Sequence, residues 1–185
     1  MKRIVLLLLV SGMATLGYSQ FLKKGSIIGG GTFQFKTSNN HDFDSKGTSF
    51  SIAPLAGYFV AKNLALGASF EYGYSTSKNS SLNYKGSTSS VFLSPFVRYY
   101  LDKGLFFHSQ YGFGPTKVKS EIDGVNSDYE VNSSLWRLGI GYAARISDTV
   151  LFEPMMGYYA SGVNDTKIDG FFIMGGFTII LKNVK

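Results

Sequence analysis

The sequence predicts an all-β protein: one eight-stranded antiparallel up-and-down transmembrane β-barrel, with short periplasmic turns and long extracellular loops. Three observations predict it. The stretch Leu64 to Tyr74 alternates strictly, with Leu64, Leu66, Ala68, Phe70, Tyr72 and Tyr74 on one face and Ala65, Gly67, Ser69, Glu71 and Gly73 on the other. That is period two over eleven residues, and a transmembrane strand needs about nine to eleven. The connections between such stretches alternate long and short, the asymmetry of bacterial barrels. Charged residues make up only 16% of the chain, aromatics another 16%, and there are 22 glycines; a soluble domain averages about 25% charged.

Taken in order, the first predicted strand spans roughly 26–36, after a lead-in over 21–24. A polar loop over 37–48 follows. The second and third strands form a hairpin, 50–60 and 64–74, joined by Ala61-Lys62-Asn63. A long loop over 75–89 leads to the fourth strand, 90–100. The turn Leu101-Asp102-Lys103-Gly104 leads to the fifth, 105–114. A third long loop, 115–131, precedes the sixth strand, 135–146. Ser147-Asp148-Thr149 turns into the seventh, 150–159. A shorter loop over 160–169 precedes the eighth, 170–181. An even count leaves both termini in the periplasm. Pro54, Pro95 and Pro154 fall inside strands, where each removes a ladder hydrogen bond, so bulges are expected there.

Residues 1–19 read as a secretory signal peptide, and 20–185 as the barrel domain. Lys2 and Arg3 form a basic start, Ile4 to Val10 an apolar run, and Gly17 and Ser19 the small residues before a cleavage at Gln20. Cleavage lowers the formal charge from +6 to +4, because it removes two bases and no acid. That small excess suits anionic lipopolysaccharide and does not indicate nucleic acid. The absence of cysteine excludes disulfides, thiolate metal sites and a cysteine nucleophile. The expected location is the bacterial outer membrane.

The sixth strand decides which face meets lipid. Trp136, Leu138, Ile140, Tyr142, Ala144 and Ile146 share one face, and Arg137 and Arg145 lie on the other. An arginine facing lipid near the midplane costs about 2–4 kcal/mol, so both are assigned inward. The same parity puts Glu71, Arg98, His108, Gln110 and Glu153 inside. Glu71, Arg98, His108, Arg137, Arg145 and Glu153 are therefore the predicted lumen polar network. Gly67, Gly139 and Gly141 share the inward face and leave room for long side chains. Phe92, Phe96, Phe172 and Met174 would also point inward, against the general rule. Aromatics near the strand ends form two girdles: Tyr58, Tyr99 and Phe152 at one, and Tyr72, Tyr74, Phe113, Trp136 and Tyr158 at the other.

Two arms repeat a pattern of apolar-small-Pro, three intervening residues, then Tyr-aromatic: Ile52-Ala53-Pro54-Leu55-Ala56-Gly57-Tyr58-Phe59 and Leu93-Ser94-Pro95-Phe96-Val97-Arg98-Tyr99-Tyr100. With Lys62-Asn63-Leu64-Ala65-Leu66-Gly67 after the first, this resembles the small outer-membrane β-barrel proteins of the Bacteroidota, an OmpX/OmpA-like group often called porin-family proteins. The resemblance implies the fold and the location and transfers no catalytic residue. It departs at the C-terminus, where Leu181-Lys182-Asn183-Val184-Lys185 stands in place of a terminal aromatic.

Signals for chemistry are sparse. Gly139-Ile140-Gly141-Tyr142-Ala143-Ala144 matches a dinucleotide fingerprint but lies inside a strand with no following helix. Asp42 and Asp44 begin something like a calcium loop, yet Lys46 takes a ligand position and Ala53 stands where the bidentate glutamate belongs. His108 and Ser109 are adjacent, so a strand sends them to opposite faces and they cannot act as base and nucleophile. Lys78, Lys85, Lys117 and Lys119 are loop bases that either are solvated or meet lipopolysaccharide phosphates. The expected protein is a non-enzymatic, cofactor-free monomer with a structural or surface-interaction role. Its expected partners are outer-membrane lipid, lipopolysaccharide, the assembly machinery and an extracellular ligand. A narrow pore for ions or small solutes is the alternative, and a lipid A-modifying enzyme the second.

Overall fold

The computed structural model describes residues 22–40, 45–101, 103–163 and 166–181. The expected signal peptide and the Asp42–Asp44 stretch lie outside them. The strands are β1 (Ile27–Asn40), β2 (Ser45–Ala61), β3 (Leu64–Asn79), β4 (Tyr84–Tyr100), β5 (Leu105–Ile122), β6 (Val125–Tyr142), β7 (Ala144–Arg145), β8 (Val150–Phe152), β9 (Met155–Val163) and β10 (Thr166–Leu181). β1 to β6 pair in sequence, β6 then pairs with β9 and β9 with β10, β7 pairs with β8 and β8 with β10, all antiparallel, and β1 pairs back with β10. Two staves of the ring are each broken once. β6 and β7 are separated only by Ala143, and β8 and β9 only by Glu153-Pro154. Counted as staves, the ring has eight strands, as the alternation predicts.

The sidedness follows the predicted parity. Phe33, Ile52, Phe70, Leu93, Phe107, Ile140 and Ile173 are exposed on the outside, while Glu71, Arg98, His108, Gln110 and Glu153 are buried inside. Phe92, Phe96 and Phe172 do point inward and are buried. Phe96 and Phe172 belong to an apolar plug at the short-turn end, with Phe59, Tyr100, Phe106 and Leu151. Leu22 is part of it: the lead-in crosses beneath the barrel, Asn63 N–H donating to Leu22 O at 3.1 Å and Gly25 N–H to Phe59 O at 2.9 Å. The inward glycines make the plug possible. A Cβ on Gly141 would fall onto the Phe106 ring, and one on Gly67 would sit 2.5 Å from Phe96 Cζ.

Two expectations need correction. The stretches read as long loops are mostly strand. Ladder pairing runs to Asn79 opposite Tyr84 and to Ile122 opposite Val125. The tip between β5 and β6 is the dipeptide Asp123-Gly124, with φ of 49° and 83°, a two-residue turn with both central φ positive. Ser, Thr and charged residues dominate these hairpins and only scattered apolar residues such as Val118, Ile122, Val125 and Tyr129 interrupt them, so the period-two signal weakens although the strands continue.

The second correction concerns proline. No register shift occurs at Pro54, Pro95 or Pro154; the one shift described lies between Phe59 and Ala61. Pairing simply lapses beside each ring. Ala53 and Pro54 skip β3, Ser94 and Pro95 skip β5, and the Glu153-Pro154 lapse divides β8 from β9. Pro115, expected in a loop, stands within β5 beside a similar lapse. A lost ladder bond is local, whereas a one-residue slip would turn every later side chain to the wrong face.

Gly141→Val should test the packing. Overpacking against Phe106 is expected to destabilise the barrel by about 1–3 kcal/mol. The readout is a lower midpoint for loss of heat-dependent gel mobility in detergent.

Candidate functional site

The interior polar residues form two groups. β4 and the β8–β9 break supply the lower one. Arg98 Nη1 donates to Glu153 Oε2 at 2.5 Å, and Tyr100 Oη and Thr178 Oγ1 donate to the same carboxylate at 2.8 and 2.6 Å. Arg98 is 2% exposed and Glu153 4%. Glu153 keeps the inward parity of Leu151 and Met155 through the pairing lapse at Pro154, and its own N–H is retained by Gly176 O at 2.8 Å. The Arg98 guanidinium lies 4.8 Å from the Phe106 ring centre and 5.6 Å from that of Phe96, so aromatic faces replace water around the charge. From Arg98 Nε the network continues to His108 Nδ1 at 3.4 Å, from His108 Nε2 to Gln110 Oε1 at 3.1 Å, and from Gln110 Nε2 to Ser69 Oγ at 3.3 Å.

The upper group is one bidentate pair. Arg137 Nη1 and Nη2 donate to Glu71 Oε2 and Oε1 at 2.5 and 2.8 Å. This fork fixes β6 against β3 across the lumen. Above it, Gln34, Ser51, Gly73, Thr88 and Ser90 line a small polar vestibule with Glu71 at its floor.

Five of the six predicted network residues thus lie in the lumen. Arg145 does not join them through its described bonds. It lies in the two-residue β7 at the short-turn rim and donates to Ser147 O at 3.2 Å and to the Asp148 carboxylate. Parity made it inward, but the break at Ala143 and the nearby turn bring an acid within reach. Sequence reading missed Tyr100 and Thr178, the two hydroxyls that complete the Glu153 site. Both had the inward parity, yet nothing marked them as hydrogen-bonded.

His108 is buried in the lumen and Ser109 faces the lipid side, lining an apolar groove with Val97, Phe107 and Leu138. Among the described residues no group of three His, Asp or Glu is placed to hold a metal. The fingerprint-like stretch at Gly139 runs through β6 to β7, with no helix after it.

The autotransporter β-domain family model matches residues 24–169. No curated protein matches. Among solved structures, the chain is similar to the β-domain of the Bordetella autotransporter BrkA, at 14% identity and a TM-score of 0.53, covering 82% of this chain and 69% of that one. It is also similar to Ail, the attachment invasion locus protein of Yersinia pestis, at 14% identity and a TM-score of 0.50, covering 84% and 99%. A second Ail structure, in complex with the heparin analogue sucrose octasulfate, aligns with 14% identity and a TM-score of 0.52, over the same shares. These likenesses are of fold: antiparallel outer-membrane barrels.

The buried pair can be separated from the rim pair by mutation. Glu153→Ala should cost about 3–5 kcal/mol, because it strands Arg98 in a dry interior. Asp148→Ala, at a carboxylate 80% exposed, should cost no more than about 1 kcal/mol. Unfolding midpoints in urea, measured in detergent, compare the two.

Proposed function

This chain belongs to the autotransporter β-domain family, and from that premise we propose that it is a closed, non-conducting scaffold that works through the β-hairpins it raises above the outer membrane. The filled lumen carries this reading. Arg98, Glu153, Tyr100, Phe59 and Phe106 occupy one end with almost no solvent access. The Arg137–Glu71 fork spans the space above them. A solute or a chain segment passing through would have to break two ion pairs and displace the plug. The pore alternative lacks a free path for that reason.

The separation of His108 from Ser109 favours a non-enzymatic role over lipid A modification. We further assign the chain to the OmpX/OmpA-like small barrels, on the repeated proline arms and the eight-stave ring. Its partners in this reading are lipopolysaccharide, the assembly machinery during insertion, and an extracellular ligand held by the hairpins.

Refolded mature protein should show a heat-dependent mobility shift on a denaturing gel and no steady steps in planar bilayers. Steady single-channel conductance from the folded fraction would overturn the closed-scaffold reading. A change in lipid A mass on expression, lost with His108→Ala, would overturn the non-enzymatic one.

A further inference from the structure

The outer face of the protruding hairpins carries a row of bases that the ladder aligns. Lys46 on β2 is directly opposite Lys78 on β3, and Lys78 is directly opposite Lys85 on β4. The row then meets Glu121 on β5. All three lysines are exposed and share the parity of the lipid-facing residues below them. Cβ atoms of directly opposed residues lie about 4.5–5.5 Å apart, and like charges so placed repel each other. The neighbouring lysines are neutralised: Lys119 is 3.4 Å from Asp128, and Lys117 is 3.2 Å from Glu130. Lys85 meets Glu121 only at 3.9 Å, and among the described residues no acid is within ion-pair distance of Lys46 or Lys78. Among the described residues, three bases against one acid leave an unbalanced row.

Its height matters. Tyr74, exposed in the upper aromatic girdle, lies four residues below Lys78 on β3. Four residues span about 13 Å of strand, and a tilt of about 35–45° reduces this to roughly 10 Å along the membrane normal. Girdle aromatics mark the interface, so the amines stand in the headgroup layer on the side that touches lipid. Beside them is a cleft of about 420 Å³. Thr76 and Ser87 contribute hydroxyls to it, Lys78, Lys85 and Lys119 contribute amines, and the paired acids Glu121 and Asp128 also line it.

We propose that Lys46, Lys78 and Lys85 form a binding row for the phosphate groups of a phosphorylated glycolipid in the outer leaflet, lipopolysaccharide being that lipid. The row takes its outward orientation from the scaffold reading above. Its ligand is part of the membrane, because the amines project outward from the barrel wall and not upward from the hairpin tips.

The test uses full-length mature protein folded in detergent, with bound glycolipid counted by native mass spectrometry and affinity measured by titration. Lipopolysaccharide should bind the wild type, and the triple variant K46Q/K78Q/K85Q should lose at least about tenfold in affinity. Enzymatically dephosphorylated lipopolysaccharide should lose a similar factor on the wild type. A variant with the same charge loss at the opposite rim, K23Q/K62Q/K103Q, should bind as the wild type does. Retained heat-dependent mobility shows that each variant is folded. Equal binding by K46Q/K78Q/K85Q, equal binding of the dephosphorylated lipid, or binding of free heparin fragments in preference to the lipid would each overturn the row. The closed-scaffold reading rests on conductance and would survive that failure.

Discussion

Hydrocarbon offers the backbone no hydrogen-bonding partner, so a chain that crosses it in strands must satisfy its peptide groups within its own ladder. Most features of this protein follow from that constraint. The strands close into a ring, and the weakest part of the ring is its seam. β1 pairs with β10 over seven residues, Ile27–Phe33, whereas it pairs with β2 over fourteen. Above the seam Gln34 replaces one ladder bond with a side chain, its Nε2 donating to Ile173 O at 3.2 Å. Phe171 and Ile173, just beyond the last β1 pair, are 88% and 74% exposed. The prolines obey the same constraint, since an interrupted ladder that keeps its register is tolerated and a shifted one is not.

Closure inverts the usual interior. With lipid outside, polar groups must go inward, and the lumen then needs a chemistry of its own. Desolvating an arginine and a glutamate is costly, and the cost is offset only where every lone pair and donor is used. Glu153 meets Arg98, Tyr100 and Thr178, and Arg98 reaches on to His108. Aromatic rings close over this cluster because glycines on neighbouring strands leave space for them. The plug and the polar chain together connect β3, β4, β5, β9 and β10 through the interior. Rigidity is therefore gained at the expense of an open path.

The sequence made these faces legible because a lipid-facing strand alternates so strongly. Parity alone placed Glu71, Arg98, His108, Arg137 and Glu153 correctly, and it placed Phe92, Phe96 and Phe172 inside against expectation. It misled where local geometry overrides parity. Arg145 has the inward parity, but a break and a turn give it Asp148. Parity also fell silent above the membrane. Through residues 75–89 both faces are largely polar, and through 115–131 the outward face is charged and only scattered residues such as Val118, Tyr129 and Val131 alternate with it, so hydropathy has little contrast to report. Asp123-Gly124 was the signal available there, a dipeptide suited to a two-residue hairpin, standing between Ile122 and Val125. The inward hydroxyls of Tyr100 and Thr178 had no such marker, since their role depends on which acid lies opposite.

What rises above the membrane is therefore sheet and not loose loop. β5 and β6 pair without interruption from the short-turn end to their tip. The two central tips are joined, Asn83 Nδ2 donating to Asp123 Oδ1 at 3.2 Å. On the outer face of this sheet the apolar members of the alternation give way to Lys46, Lys78, Lys85, Lys117 and Lys119, with Glu121, Asp128 and Glu130 set opposite some of them. A flexible loop would have to lose conformational entropy on meeting a ligand. Charges on a ladder are spared the backbone part of that loss and give up only side-chain freedom, and the spacing of their backbones is set before any partner arrives. The same pairing that lets the chain survive in hydrocarbon thus continues outward as the frame that holds its surface charges in place.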